Sequence, residues 1–119
     1  MKTVLWISRH NMTLEQLADM ERIMGGPVCL RQWQDTVTDL IGLAPMVREA
    51  DAVAAVLPPE LLAELLRLVE GKPIFFAVSG RVPTGRMMDS PSGLSEPEFV
   101  FIHRCWRQLL RLEIETCTP

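Results

Sequence analysis

The sequence predicts a small Rossmann-like α/β domain: a parallel sheet with helices on both faces, extended by a C-terminal antiparallel hairpin and strand. Short apolar runs alternate with amphipathic stretches, an order typical of βαβ units. Proline, glycine and capping residues separate these segments, and the pattern changes after residue 79. The 119 residues, 48% of them hydrophobic, suit a single domain spanning 1–119.

The first strand and helix have the clearest signals. Residues 3–7 form a continuous apolar run, as expected for a strand buried on both faces. Thr13, followed three residues later by Gln16, matches a capping box and predicts a helix start. The sequence Gly25-Gly26-Pro27 predicts the end of that helix.

The same alternation continues along the chain. We expect a strand at 28–33, a helix beginning near Pro45, a strand at 51–57, a helix from Pro58-Pro59 to Gly71 and a fourth strand at 73–78. The crossovers between the parallel strands should be right-handed. Beyond them we expect a hairpin of 81–88 with 98–104, turning at 89–93, and a last strand at 108–116, where apolar and charged residues alternate.

Charge is distributed unevenly. The net charge is −3, which disfavours binding to long duplex nucleic acid. Ten of the twelve basic residues are arginine, and residues 79–111 hold five arginines against three acids. Because guanidinium groups suit phosphate, this segment favours a small polyanion as ligand. A GC-rich genome would give the same arginine excess.

Several classes of protein lack support in the sequence. No apolar run has the roughly 20 residues of a membrane span, and the N-terminus does not resemble a signal peptide. Three cysteines without a Cys-x-x-Cys pair are expected to be reduced thiols, so we expect a cytoplasmic protein. No dinucleotide-binding or Walker motif and no cluster of metal ligands is present, so neither a cofactor nor a metal is expected.

Three of the predicted parallel strands end in identifiable turns, and two of these turns, after the first and the fourth strand, are polar and carry a cation plus a hydroxyl. Residues 8–11 follow the first strand, 57–59 the third and 79–81 the fourth. Because ligands of open α/β sheets bind beyond the carboxyl ends of the strands, these turns predict one site. Helix starts at Thr13 and Pro59 would add partial positive charge, so the site is expected to bind an anion. Ordinary polar loops are the alternative.

The two histidines receive different interpretations. His10, in the turn after the first strand, could bind a phosphate or transfer a proton near neutral pH. His103 lies within an apolar strand and is expected to be a satisfied structural residue. Arg104 could reach the ligand or a partner chain. Met87, Met88 and Trp106 fit either a surface that binds a second chain or core packing.

Three stretches in order resemble a known family. Ser8-Arg9-His10 running into residues 12–16, the step at 55–64 that contains Leu57-Pro58-Pro59, and the ending formed by 77–81 and 99–104 resemble the small CRISPR-associated Csx-type ring nucleases. The resemblance implies a Rossmann-like fold related to CARF domains and a homodimer. It also implies recognition of cyclic oligoadenylate, which ring nucleases cleave without a metal when a ribose 2′-hydroxyl attacks the adjacent phosphate.

The resemblance also implies roles for individual residues. Ser8 and Ser79 would hold phosphate oxygens, Arg9 and Arg81 would stabilise developing charge, and His10 would act as the acid. Asn11 and Pro58 are added to the predicted ligand-binding residues because they follow the first and third strands, and not because of the resemblance. Two features depart from the family pattern. Gly80 stands where another polar or basic residue is expected, and the tail from 105 to 119 is longer than expected.

The function that we expect is a metal-independent ring nuclease that degrades cyclic oligoadenylate in type III CRISPR defence. A module of the same fold that senses or sequesters a cyclic nucleotide without cutting it is one alternative. An interaction protein of a mobile element or defence locus, with no nucleotide site, is another. Whether the chain is an enzyme stays open at the level of sequence.

Overall fold

The computed structural model describes all 119 residues and contains one five-stranded mixed sheet. The elements are β1 (Lys2–Ile7), α1 (Leu14–Met24), β2 (Val28–Trp33), a 3₁₀ turn (Ile41–Leu43), α2 (Ala44–Glu49), β3 (Ala52–Ala55), α3 (Pro59–Val69), β4 (Ile74–Asp89) and β5 (Ser95–Gln108). The strand order is β2-β1-β3-β4-β5; the first four strands are parallel, and β5 is antiparallel to β4. The predicted small Rossmann-like α/β class is confirmed.

Local signals set the helix ends where the sequence predicted them. At the start of α1, the Gln16 amide donates to Thr13 Oγ1 (3.1 Å) and the Thr13 amide donates to Gln16 Oε1 (3.0 Å), so the capping box is confirmed. Gly25 ends the helix with a φ of 85°, which glycine adopts without steric cost. Pro45 and Pro59 each lie in the first turn of a helix, where proline is tolerated.

Alternation along the central strands separates two cores. Leu5 and Ile7 of β1 pack on one face of the sheet with Val47 of α2 and Leu65 of α3. On the other face, Val4 and Trp6 pack with Met20 of α1, with alanines of β3 and with Phe75 and Trp106. Helices therefore cover both faces, as predicted. No helix of the structure has the length and apolar character that crossing a bilayer requires.

The C-terminal third differs from the prediction. β4 is one continuous strand from Ile74 to Asp89, so it does not end at 78, and its partner β5 runs from Ser95 to Gln108 rather than from 98 to 104. The predicted strand at 108–116 is wrong, because residues 109–119 have no regular structure. The chain leaves β5 without a turn that would reverse it, and β3 and β5 already flank β4, so the alternating residues find no partner strand.

Beyond the main sheet, β4 and β5 continue as a two-stranded ribbon, residues 79–103, here called the arm. Its register runs from the Ser79–His103 pair to the Asp89–Ser95 pair, whereas β3 pairs only with Ile74 and Phe75. The arm exposes six large apolar side chains, namely Met87, Met88, Leu94, Val100, Phe101 and Ile102. A ribbon of two strands is marginally stable alone, so packing of its base on the domain has to hold it.

Candidate functional site

The ends of β1, β2 and β3 surround a cavity of about 290 Å³, here called the rim cavity. Residues 7–10, 35–37 and 56–58 line it. It lies at the carboxyl edge of the parallel strands, where ligands of this fold class bind. The structure therefore brings together four of the predicted site residues: Ser8, Arg9, His10 and Pro58.

The turn after β1 is held rigidly by hydrogen bonds. The His10 amide donates to Ser8 Oγ (3.1 Å), and Ser8 is 8% exposed. The His10 carbonyl accepts from Trp6 Nε1 (2.8 Å) and from Gln32 Nε2 (2.9 Å). Because both bonds come from the sheet, the backbone presents the Arg9 and His10 side chains at the cavity in a defined way.

The rim cavity contains one cation, one imidazole and one carboxylate. The Arg9 guanidinium donates to Thr36 Oγ1 and forms no ion pair, so it keeps charge available for an anion. The His10 ring makes no hydrogen bond and is exposed. Asp35 also lines the cavity, and its negative charge opposes a phosphate near it.

The helix N-termini contribute less to this cavity than the sequence suggested. At α3, Pro58 and Pro59 have no N–H, and the amides of Leu61 and Leu62 already donate to the Pro58 carbonyl (3.1 and 3.0 Å). At α1, residues 13–16 line a different pocket. Among the first-turn amides of α3 only that of Glu60 is left without an acceptor, so an anion in the rim cavity would depend chiefly on side chains.

Three of the predicted residues lie elsewhere. Asn11 Oδ1 accepts from Gln34 Nε2 (3.3 Å) outside the rim cavity. Ser79 lines the pocket at the start of α1, and Arg81 stacks on the Phe99 ring in the arm, 4.0 Å from its centroid. For Ser79 and Arg81 the reason is that β4 does not end at residue 78 but carries these two side chains outward along the arm.

The unexpected Gly80 has a structural explanation. A side chain at this position would overlap the guanidinium of Arg104, which lies across the strand. The register shifts by one residue between Val78 and Ser79, and Arg104 is the extra residue on the partner strand. The Arg104 guanidinium therefore occupies the space that a side chain at position 80 would fill. A glycine inside a strand was the available signal for this close approach.

The sequence alone did not predict a partly buried pair of residues, Asp19 and His103, beside the arm. His103 Nε2 lies 2.8 Å from Asp19 Oδ2, and the His103 side chain is 6% exposed. Its Nδ1 is buried and has no hydrogen-bond partner, so the prediction of a satisfied histidine holds for one nitrogen only. The hydrogen bond to His103, followed by that from Arg22, lowers the pKa of the Asp19 carboxyl.

The lowered pKa of Asp19 predicts a pH-dependent stability. The contribution of the Asp19 carboxylate to the free energy of unfolding is complete above the pKa that this group has in the unfolded chain. It is lost as the pH falls through the lower pKa of the folded state. We expect Asp19→Asn to lower the Tm at neutral pH by about 5 °C. The difference from the wild type should shrink below about pH 4, as measured by thermal melts. A difference that stays constant into the acid range would contradict this assignment.

The rim cavity can bind a compact anion through Arg9 and protonate a leaving group through His10. No group of three or more histidine, cysteine, aspartate or glutamate side chains is placed to hold a metal ion. Comparisons with family models, with curated proteins and with solved structures find no match to this chain.

Proposed function

We propose that this chain is a metal-independent ring nuclease that binds and cleaves cyclic oligoadenylate. The observation that supports it most is the rim cavity, where an arginine without an acidic partner and an unbonded histidine lie side by side at the ligand-binding edge of the fold. The alternation of sugar and phosphate in such a ring offers repeated anionic groups to guanidinium side chains.

In the proposed step, the ribose 2′-oxygen forms a bond to the adjacent phosphorus and the bond from phosphorus to the 5′-oxygen breaks. The 2′-hydroxyl proton passes to solvent, and the His10 imidazolium donates a proton to the departing 5′-oxygen. Arg9 stabilises the negative charge that develops on the phosphoryl oxygens. The products are linear and end in a 2′,3′-cyclic phosphate.

A homodimer is part of the proposal, because one rim cavity holds a single guanidinium and Asp35 partly offsets its charge. Two copies facing each other across a two-fold axis would double the cations around a small ring. Arg81 lies on the arm and outside the rim cavity, so it joins the site only where the arm of one protomer reaches the cavity of the other.

Incubation with radiolabelled cyclic tetra- and hexa-adenylate in excess EDTA tests this function. Linear products ending in a 2′,3′-cyclic phosphate are expected, and analytical ultracentrifugation should show a dimer. Tight binding without product would support the sequestering alternative. One structural observation favours that alternative: no group in the rim cavity forms a hydrogen bond that would orient the His10 ring. No binding to either ring would overturn both.

Arg9→Ala should weaken binding of the cyclic oligoadenylate. Loss of a charged hydrogen bond to phosphate is expected to raise the Kd on the order of 10- to 100-fold. Arg67→Ala is the matched control, because this substitution removes the same charge from the last turn of α3, at the end remote from the rim cavity. Equal Kd changes in the two variants, measured by fluorescence anisotropy, would rule out a specific role for Arg9.

A further inference from the structure

A second pocket lies between the start of α1 and the base of the arm. It has a volume of about 450 Å³ and is lined by residues 13–16, 79 and 101–103; it is called here the helix pocket. It shares no residue with the rim cavity. Its walls combine the exposed apolar side chains of Leu14 and Phe101 with the polar Ser79 and His103.

The Asp19–His103 pair determines which nitrogen of the neutral ring carries the proton. Asp19 is an acceptor held in its charged form, so the His103 proton lies on Nε2, which donates to Oδ2 over 2.8 Å. Nδ1 then carries a lone pair. This atom is buried, and nothing in the protein donates to it. A buried acceptor without a donor is costly, and a catalytic role is one of the reasons for which such an atom is kept.

The neighbouring strand β4 carries a candidate hydrogen-bond donor for His103 Nδ1, namely Ser79. Ser79 is the direct cross-strand partner of His103, and such partners have Cβ atoms about 5 Å apart. The Ser79 hydroxyl makes no hydrogen bond within the protein, and Ser79 and His103 line the same pocket. Serine, histidine and aspartate therefore follow one another in the order that activates a hydroxyl.

We propose that Ser79 is a nucleophilic serine, that His103 is its base and Asp19 a positioning residue, and that the helix pocket accepts the acyl group of a small ester. The Ser79 Oγ forms a bond to the carbonyl carbon while the bond to the leaving alkoxide breaks. The serine proton passes to His103 Nδ1 and then to the alkoxide. This site is independent of the proposed cleavage in the rim cavity.

The start of α1 provides donors for the oxyanion of this step. The capping box uses the amides of Thr13 and Gln16, but those of Leu14 and Glu15 precede the first intrahelical bond, which the Leu17 amide makes to Thr13. Both residues line the helix pocket. Paired backbone amides near a serine are the arrangement that stabilises a tetrahedral intermediate.

Labelling with a small alkyl fluorophosphonate tests the proposal on the full chain. The Ser79 Oγ–P bond forms, the P–F bond breaks, fluoride leaves and the proton passes to His103. Peptide mass spectrometry should find the adduct on Ser79 and none on Ser95, an exposed serine of the same ribbon with no histidine opposite it. Ser79→Ala should abolish the adduct.

The positioning role of Asp19 predicts a further result. Asp19→Asn should slow labelling of Ser79 on the order of 100-fold, and Asp19→Glu, which keeps the carboxylate, should restore part of the rate. Variants are compared only below their melting temperature, so that unfolding is not mistaken for lost reactivity. Labelling of Ser79 at the rate of Ser95, or an Asp19→Asn rate equal to the wild type, would overturn the proposal.

Discussion

Trp106→Ala is expected to lower the free energy of unfolding by about 3–5 kcal/mol, the range for removal of a buried tryptophan. Trp106 is 7% exposed and packs edge-on against Trp6, with ring centroids 5.7 Å apart. Its Nε1 donates to the Gln16 carbonyl of α1 (2.9 Å). The Trp106 side chain thus joins the base of the arm to β1 and to α1. The loss is large because the free energy of unfolding of a single domain is only about 5–15 kcal/mol in total.

Urea denaturation followed by circular dichroism measures this loss of stability. A pair of conservative variants separates the part due to packing from the part due to the hydrogen bond. Trp106→Phe keeps a ring but removes the indole N–H that donates to the Gln16 carbonyl. Trp33→Phe is the matched control, because Trp33 Nε1 is buried without a partner and no hydrogen bond is lost. Trp106→Phe should therefore cost more than Trp33→Phe; the reverse order would refute the assigned bond.

His10→Ala is expected to slow cleavage of cyclic oligoadenylate on the order of 10²- to 10⁴-fold, the usual contribution of a positioned acid or base. Its ring makes no hydrogen bond in the free protein, so its removal should leave the fold and the Kd nearly unchanged. Single-turnover rates and Kd values for the wild type and the variant separate the two effects. A lower affinity with an unchanged rate constant would assign His10 to binding instead of proton transfer.

Substrates with a good leaving group sharpen this experiment. A 5′-thio substitution at the scissile phosphate removes the need for an acid, because a thiolate departs without protonation. The His10→Ala variant should then approach the rate of the wild type. Persistence of the full defect on the thio substrate would show that His10 does not protonate the leaving group.

The first 78 residues were predictable because each element carries its own local signal. The capping box at Thr13, the glycine at 25 and the proline at 59 act within a few residues, so the sequence identifies them directly. Residues 108–116 show the limit of this approach. Their alternation is a property of the segment, whereas a strand also needs a partner, and no turn follows β5 that would bring these residues back along its free edge.

The residues of the candidate site show the same difference between what local signals predict and what long-range pairing decides. The turn at 8–10 and Pro58 meet because the carboxyl ends of parallel strands always share an edge. Ser79 was expected there too, but the length of β4 decides its position, and pairing with β5 sets that length. The contact between His103 and Asp19 joins residues 84 positions apart, and no local pattern predicts it.

The shape of the arm limits how copies of this chain can associate. Its ladder is interrupted at Val78/Ser79 and again at Pro83/Met87, and Pro97 cannot donate a hydrogen bond. Irregularities of this kind coil a ribbon and prevent further strands from stacking onto its border, which disfavours fibrous growth. Association of copies through the exposed Phe101 side would therefore not extend by the addition of strand upon strand.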